Sequence, residues 1–425
     1  HNGKPMRLIF TLLIILLSHS WTCAFTSLRP QYLTMADGLP SNYVHEIAED
    51  GNGMLWFGNS GGMSRFDGNN ILNFRTFPIG SSGEMISAAI THITTDKTKR
   101  FIWAKATNHC FFCYDTQTGR FIDYAVNEEQ GKSFREIAFG ANGTVWLYQG
   151  NGVRRCTVTY PDNKLEPVFH CTDYTVDKGQ LPYREIRTLL ATGSGGAWLC
   201  ADKGLAYIDG KGEAHIIDKK RKVYQAMRFG GGRYAFFMTG NRILVGDDKG
   251  GIVKDILIPA QFGTVNRITG YVCEAAGKGK TAVAHAFTNG GTLAVDVAKG
   301  VVRKSDKLDI SEGMNFGTYQ GYTVVITRSG EIIILDRELK TAMRRKVLAM
   351  IPIWSYRNSF SVSANRDNTI MIAARTWGLL AFNTVTGEAT ELRDTDPMMP
   401  QGYYYVRNIM FDSAGNLWGA TQGEG

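Results

Sequence analysis

The chain has 425 residues, of which 44% are hydrophobic and 48 are glycine, and its formal net charge is +8. A chain of this length can bury one large core or two smaller ones. Its glycine content argues against a helical bundle and suits a protein with many turns. Basic and acidic residues alternate without a strong cluster, and the basic run 219–222 lies between predicted strands as a solvated loop. This pattern argues against a nucleic-acid partner.

The N-terminus has the pattern of an export signal. Lys4 and Arg7 precede an apolar stretch at 8–17, and Thr22-Cys23-Ala24 offers small residues for cleavage. The apolar stretch is short for a membrane span. We therefore predict a signal peptide over 1–24 and a periplasmic mature chain; an uncleaved membrane anchor is the alternative.

The rest of the chain is built on a repeat. In its first copy, strands predicted at 44–49, 54–58, 63–67 and 71–74 are joined by glycine-containing turns. A tryptophan or a hydrophobic substitute returns about every 45 residues, the period of a β-propeller blade. These residues are Trp56, Trp103, Trp146, Trp198, Phe236, Val283, Val325, Ile372 and Trp418. We predict that they pack between neighbouring blades.

The number of repeats sets the predicted architecture. Eight units are complete and a ninth ends inside its blade, whereas single propellers usually hold four to eight blades. We predict an all-β fold with a seven-bladed β-propeller over 25–347 and the first blades of a second, truncated propeller over 348–425. An eight-bladed first ring is the alternative.

Six of the seven cysteines follow the predicted signal peptide. Cys156 and Cys171 flank a hairpin-like stretch and are the best candidates for a disulfide in an exported protein. Cys110 and Cys113 have C-x-x-C spacing within a predicted strand, where side chains three residues apart point to opposite faces. This placement disfavours a zinc site or a redox pair.

The repeat resembles a known family. Gly38-Leu39-Pro40-Ser41-Asn42, Leu55-Trp56-Phe57-Gly58 and 62–67 resemble the two-component regulator propeller repeat, found in periplasmic sensor regions of Bacteroidetes hybrid two-component systems. The resemblance extends over nearly all of the mature chain and is faint in the fifth to seventh repeats.

The resemblance implies two propellers, an immunoglobulin-like domain, a membrane helix, a histidine kinase, a receiver and a DNA-binding domain in the full-length protein. It implies a homodimer anchored in the inner membrane that senses oligosaccharides and regulates polysaccharide utilisation. The 425 residues contain no kinase or DNA-binding segment. The resemblance thus makes this chain a non-enzymatic input region.

Propeller topology predicts where a ligand binds. The loop before the first strand of each blade and the loop between its second and third strands share one rim, which forms the concave end of the ring. Arginine and aromatic side chains there suit sugars, and the arginines favour an acidic one. The predicted ligand-binding residues are Tyr183, Arg184, Tyr356, Arg357, Arg375, Trp377, Tyr404 and Arg407; Asp202, Lys203, Arg267 and Arg328 lie on the same rim.

Two alternative functions remain at this stage. A secreted propeller lyase or glycosidase would need carboxylates facing a substrate, and the predicted rim has few beyond Asp202. A protein-interaction scaffold is also compatible with the fold. The eight histidines have no metal-ligand spacing, so we predict no metal, no cofactor and no catalytic residue. The sequence does not identify the glycan.

Overall fold

The computed structural model describes residues 31–79, 84–122, 134–148, 152–162, 165–229, 231–274, 283–347, 360–374, 378–392 and 406–423. Almost all regular structure in these residues is β-strand. The described residues include three short 3₁₀ turns, at Met35–Asp37, Ala141–Gly143 and Ala260–Phe262. In the described residues no helix is long and apolar enough to cross a membrane.

The strands of the first half of the chain form four blades and one extra hairpin. Blade 1 contains β1 Val44–Glu49, β2 Leu55–Asn59, β3 Gly62–Phe66 and β4 Ile71–Phe74. A hairpin of β5 Thr76–Ile79 and β6 Glu84–Ser87 follows. Blade 2 contains β7 Ile90–Thr95, β8 Phe101–Ala106, β9 Phe111–Asp115 and β10 Arg120–Ile122. Blade 3 contains β11 Glu136–Phe139, β12 Val145–Tyr148, β13 Val153–Thr159 and β14 Val168–Tyr174. Blade 4 contains β15 Ile186–Ala191, β16 Ala197–Ala201, β17 Gly204–Ile208 and β18 Ala214–Asp218.

The second half continues the same pattern. Blade 5 contains β19 Val223–Phe229, β20 Arg233–Met238, β21 Arg242–Asp247 and β22 Ile252–Leu257. Blade 6 contains β23 Ile268–Cys273, β24 Val283–Thr288, β25 Gly291–Asp296 and β26 Val301–Lys304. Blade 7 contains β27 Gly313–Tyr319, β28 Tyr322–Thr327, β29 Glu331–Leu335 and β30 Thr341–Lys346. Blade 8 contains β31 Phe360–Ala364, β32 Thr369–Ala374, β33 Gly378–Asn383 and β34 Ala389–Leu392. The half-blade contains β35 Val406–Phe411 and β36 Leu417–Thr421.

The blade count corrects one prediction. The described residues form eight four-stranded antiparallel blades, not seven plus the start of a second propeller. Every residue of β32 is buried, so blade 8 needs a neighbour on both faces. Its Ile370 and Ile372 share a core with Val324 and Ile326 of blade 7. The predicted domain limits at 24 and 347 stay predictions, because 1–30 and 348–359 are outside the described residues.

The half-blade lies between blade 8 and blade 1. Strand β35 packs against β31 on one side and β1 on the other. The Trp418 ring lies 6.3 Å from the ring of Phe57 and 5.9 Å from that of Phe66. The Ser413 backbone N–H donates a 2.8 Å hydrogen bond to Glu49. The ring of blades therefore closes through the half-blade.

The predicted packing role of the tryptophans is confirmed in blades 1 to 4. Trp56, Trp103, Trp146 and Trp198 are fully buried. Trp56, Trp103 and Trp198 each lie three residues before the end of the second strand in their blade, and Trp146 lies two residues before the end of β12. In blade 1, Asn59 at that strand end pairs with Val44. The same register in blades 5, 6 and 7 selects Ala235, His285 and Val324, not Phe236, Val283 and Val325.

The predicted disulfide is confirmed, and Cys110 and Cys113 lie on opposite sides of blade 2 as predicted, although Cys110 directly precedes β9 and is only half-buried. Cys156 and Cys171 form a disulfide and are direct partners across β13 and β14. Cys113 belongs to the core between blades 2 and 3, whereas Cys110 packs on the opposite side, against the core between blades 1 and 2. Burial raises the pKa of both thiols.

Candidate functional site

The order of strands in each blade defines two faces of the ring. Each blade is a simple meander in which neighbouring strands are antiparallel. The connections into the first strand and from the second strand to the third therefore lie at one end, named the upper face. The turns from the first strand to the second and from the third to the fourth lie at the other end, named the lower face.

The first strands begin with a β-bulge in most blades. The pairing with the second strand skips one residue there, which re-aims that side chain. The skipped residues are His45, Thr91, Arg187, Tyr224, Thr269 and Arg407. Several of them make contacts at the upper face, including the two arginines described below.

A charged cluster joins blades 4 and 5 at the upper face. Asp202, directly after β16, lies 2.5 Å from Nη2 of Arg187 and 2.9 Å from Nζ of Lys222. Lys222 directly precedes β19 of blade 5. Partial burial raises the pKa of Asp202, but the two cations together bring it below its usual value. We name Arg187, Asp202 and Lys222 the first triplet.

A second cluster, again one carboxylate with two cations, joins blades 6 and 7. Glu312, directly before β27, forms an ion pair with Nε of Arg267 at 3.0 Å and accepts a hydrogen bond from Nη1 of Arg328 at 3.1 Å. Arg267 directly precedes β23 of blade 6, and Arg328 directly follows β28 of blade 7. We name Arg267, Glu312 and Arg328 the second triplet.

The half-blade contributes a further upper-face contact. Nη1 of Arg407 lies 2.7 Å from Nδ1 of His45. Burial and the nearby guanidinium lower the pKa of His45. Across the next seam Glu46 forms an ion pair with His92. Burial lowers the pKa of His92, but Glu46 outweighs it and the net pKa is raised.

The structure describes three of the eight predicted ligand-binding residues. Tyr183 is partly exposed, with the Lys203 ammonium 5.5 Å from its ring centre. Arg184 is exposed and its nearest acid is Asp177, at 3.9 Å. Arg407 contacts His45 as above. The other five, Tyr356, Arg357, Arg375, Trp377 and Tyr404, are outside the described residues.

Sequence reasoning missed three members of the triplets. Arg187 was not selected because it was assigned to the interior of the first strand of blade 4 and not to the loop before it. Lys222 was assigned to a solvated basic run, yet it bonds to Asp202. Glu312 was overlooked because its partners are 45 and 16 residues away in sequence. A periodic comparison of the residues flanking each first strand could have found both Lys222 and Glu312.

The lower face has a groove and a group of three possible metal ligands. A groove of about 610 Å³ between blades 7 and 8 is lined by Gln320, Tyr322, Asp336, Arg337, Glu338, Asn368, Thr384 and Val385. Its polar groups mostly bond one another; the Tyr322 hydroxyl donates to the Thr384 carbonyl at 2.9 Å. Asp209, Glu213 and His215 place three ligand atoms within 4.8 Å of one another, but one oxygen of Asp209 already accepts from three backbone N–H groups.

The fold and its upper face thus define a β-propeller in which several neighbouring blades are joined by charged contacts at the upper face. Residues 38–61 match the family described as the two component regulator propeller. The match covers the approach to β1 and the first two strands of blade 1. The first blade therefore carries the two-component regulator propeller repeat, and the resemblance read from these residues is confirmed.

Solved structures with a similar fold include two extracellular domains of hybrid two component systems from B. thetaiotaomicron. The BT4673 domain is 16% identical to this chain with a TM-score of 0.29, and the match covers 90% of this chain and 53% of that domain. The BT3049 domain is 16% identical to this chain with a TM-score of 0.27, and the match covers 93% of this chain and 64% of that domain. This chain therefore spans about half to two thirds of their length.

A third similar structure is Sqt1 of Saccharomyces cerevisiae, at 10% identity and a TM-score of 0.49, covering 82% of this chain and 96% of that one. At these identities and TM-scores the three structures do not identify a function, and the propeller fold rests on the strand order of the chain itself. No curated protein sequence matches the chain.

Proposed function

We propose that this chain is the periplasmic input region of a membrane-anchored hybrid two-component sensor and that its upper face binds an oligosaccharide. The full-length protein would carry the membrane helix and the histidine kinase, act as a homodimer and regulate polysaccharide utilisation. The family match of the first blade supports the sensor assignment. The observation that carries the ligand site is the grouping of cations at the upper face, with two cations around each of two carboxylates.

The arrangement of the carboxylates favours binding over catalysis. A glycosidase needs one carboxyl group as an acid and a second as a base or nucleophile, both facing the sugar. Asp202 and Glu312 are each engaged by two cations, and Glu46 is paired with His92. The two cations around Asp202 bring its pKa below the usual value, which makes this carboxylate a weak base. The described upper-face acids therefore suit a structural role.

Thermal unfolding in the presence of an oligosaccharide panel tests the proposal. A ligand that binds only the folded chain stabilises it by about 2.7 kcal/mol at one hundred times its Kd. We expect one class of oligosaccharide to raise the Tm and to be recovered intact by mass spectrometry. Cleavage of the sugar would instead establish an enzyme, and a panel without any Tm shift would reject the oligosaccharide assignment.

Two substitutions locate the binding face. Tyr183→Ala and Arg407→Gln remove predicted ligand contacts at the upper face and are expected to reduce the Tm shift. Lys211→Gln is the matched control, because Lys211 is an exposed cation in a lower-face turn. An equal reduction in all three variants would mean that the ligand does not bind at the upper face.

A further inference from the structure

The two triplets share one design although they belong to different pairs of blades. In each, a single carboxylate lies between two cations, and the seam between blades passes through the cluster. The first triplet takes two residues from blade 4 and one from blade 5, whereas the second takes one from blade 6 and two from blade 7. Each triplet therefore carries one excess positive charge.

In each triplet the side chain of the acid is less exposed than the side chains of the two cations. The side chain of Asp202 is 24% exposed, against 51% for Arg187 and 39% for Lys222. Glu312 is 15% exposed, against 43% for Arg267 and 37% for Arg328. The acid thus forms the base of the cluster, and the cations form its surface. An anion approaching from solvent meets the cations first.

The arginines of the second triplet use only part of their hydrogen-bonding capacity on Glu312. Arg267 forms an ion pair through Nε, and Arg328 donates a hydrogen bond through Nη1. A guanidinium has five N–H donors in a planar fork, which matches the oxygens of a carboxylate or a sulfate. An added anion can therefore be bound without breaking the bonds to Glu312.

The two triplets are too far apart to bind one small anion together. Blades 5 and 6 separate their seams, and packed sheets are about 10 Å apart, so the seams lie on the order of 20 Å apart around the ring. A ligand that reached both triplets would therefore use a different group at each.

We propose that the ligand is an oligosaccharide with at least two acidic groups, carboxylate or sulfate, one bound at each triplet. This inference rests on the proposed function and specifies its substrate class. A monosaccharide acid reaches one triplet only and binds weakly. A neutral oligosaccharide offers no anionic group to the exposed cations of either triplet.

Calorimetric titration of the chain with three tetrasaccharides of similar length tests the inference. Tetragalacturonate supplies carboxylates, a chondroitin sulfate tetrasaccharide supplies sulfates as well, and maltotetraose is neutral. We expect one or both acidic probes to bind at least tenfold more tightly than maltotetraose. Their affinity should fall between 50 and 300 mM NaCl, because salt screens exposed charges.

Paired substitutions test each triplet separately. Arg187→Gln with Lys222→Gln, and Arg267→Gln with Arg328→Gln, should each weaken the acidic probe at least tenfold. Lys211→Gln with Lys249→Gln removes two lower-face cations and should leave the affinity unchanged. Asp202→Asn keeps the cations of the first triplet and removes its acid, so it should strengthen binding even if a paired variant unfolds.

The outcomes separate this inference from the proposed function. Tight maltotetraose binding that is insensitive to both paired variants overturns the inference and leaves oligosaccharide binding intact. An effect of only one paired variant overturns the requirement for two acidic groups. Failure of every oligosaccharide in both this titration and the wider panel rejects the proposed function and the inference with it.

Discussion

Blades 1 and 6 use the same hydrogen bond with different chemistry. In blade 1 the Trp56 indole N–H donates to Asp50 at 2.9 Å. In blade 6 the equivalent ring is His285, whose Nε2 lies 2.9 Å from Glu274. Glu274 and Asp50 occupy equivalent positions, because each lies six residues after the start of the first strand in its blade. Both acids also close the turn, since their backbone N–H groups bond to Met54 and Val283.

The difference shows what the blade requires at this position. In these two blades a ring with an N–H donor faces an acid at the lower end of the first strand, and the ring can be indole or imidazole. Imidazole has a second nitrogen, and Nδ1 of His285 is satisfied by the Ser305 hydroxyl at 2.8 Å. The exchange makes blade 6 sensitive to pH, whereas indole does not titrate.

The half-blade repeats the blade 1 arrangement, and blade 3 lacks the acid. Trp418 donates to Asp412 at 2.8 Å. Although burial raises the pKa of Asp412, the bonds from Trp418, Asn416 and Ala414 bring it below its usual value. In blade 3 Gly140 takes the acid position, and among the described residues Nε1 of Trp146 has no hydrogen-bond partner.

The largest expected effect comes from removing the acid of blade 1. Asp50 is buried and accepts from Asn52, Met54 and the Trp56 indole. Asp50→Ala leaves buried donors unsatisfied, so we expect a loss of about 1–3 kcal/mol in the free energy of unfolding, measured by urea denaturation. Asp67→Ala is the control: Asp67 closes an exposed lower-face turn without a ring partner. An equal loss in the two variants would show that the turn, not the ring bond, accounts for the stability.

The next prediction concerns the pH dependence of blade 6. Burial lowers the pKa of His285, and the opposing effect of Glu274 is smaller. The unfolded chain therefore takes up a proton near pH 6.5 while the folded chain does not. This contribution to stability is present above pH 6.5 and is lost as the pH falls from there towards the folded pKa.

Urea denaturation at pH 7.5 and 5.5 measures this loss. The wild-type chain should lose more stability between pH 7.5 and 5.5 than the His285→Gln variant. Subtracting the two losses removes the contributions of His45 and His92, because both proteins contain these histidines. Glu274 has a lowered pKa, and its contribution is lost mainly below pH 4.5, outside this interval. Equal losses in the two proteins would contradict the assignment.

The smallest expected effect is a gain in the free energy of unfolding from a substitution in blade 3. Gly140→Asp supplies the missing acid at a backbone position with φ of −90°, which any residue can adopt. The new Cβ would lie 3.1 Å from Nε1 of Trp146, so the ring must shift slightly. We expect about 1 kcal/mol of added stability from the new hydrogen bond and from the loss of glycine freedom in the unfolded chain.

A double-mutant cycle isolates the hydrogen bond. In a Trp146→Phe background the ring has no N–H, so Gly140→Asp should give a smaller gain than in the wild type. The same gain in both backgrounds would show that the effect comes from the backbone alone.

Several of these contacts were predictable and others were not. The period located the tryptophan cores of blades 1 to 4, and the hairpin pattern located the Cys156–Cys171 disulfide, because both depend on residues close in sequence. The blade 6 ring pair was missed because a histidine does not resemble the repeat, and its register became clear only from the pairing of Val272 with His285. The triplets were only partly found, because each joins residues from adjacent blades.

The sequence by itself determined that the chain is a propeller of four-stranded blades, because strand alternation and turn residues act within one repeat of about 45 residues. It also determined which loops share the upper face, since that follows from antiparallel strand order alone. Only the tertiary structure decided that eight complete blades and a half-blade close together and that Arg187 meets Lys222 around Asp202. Those outcomes depend on how neighbouring sheets pack and where a bulge directs a side chain, and neither quantity is encoded within a single repeat.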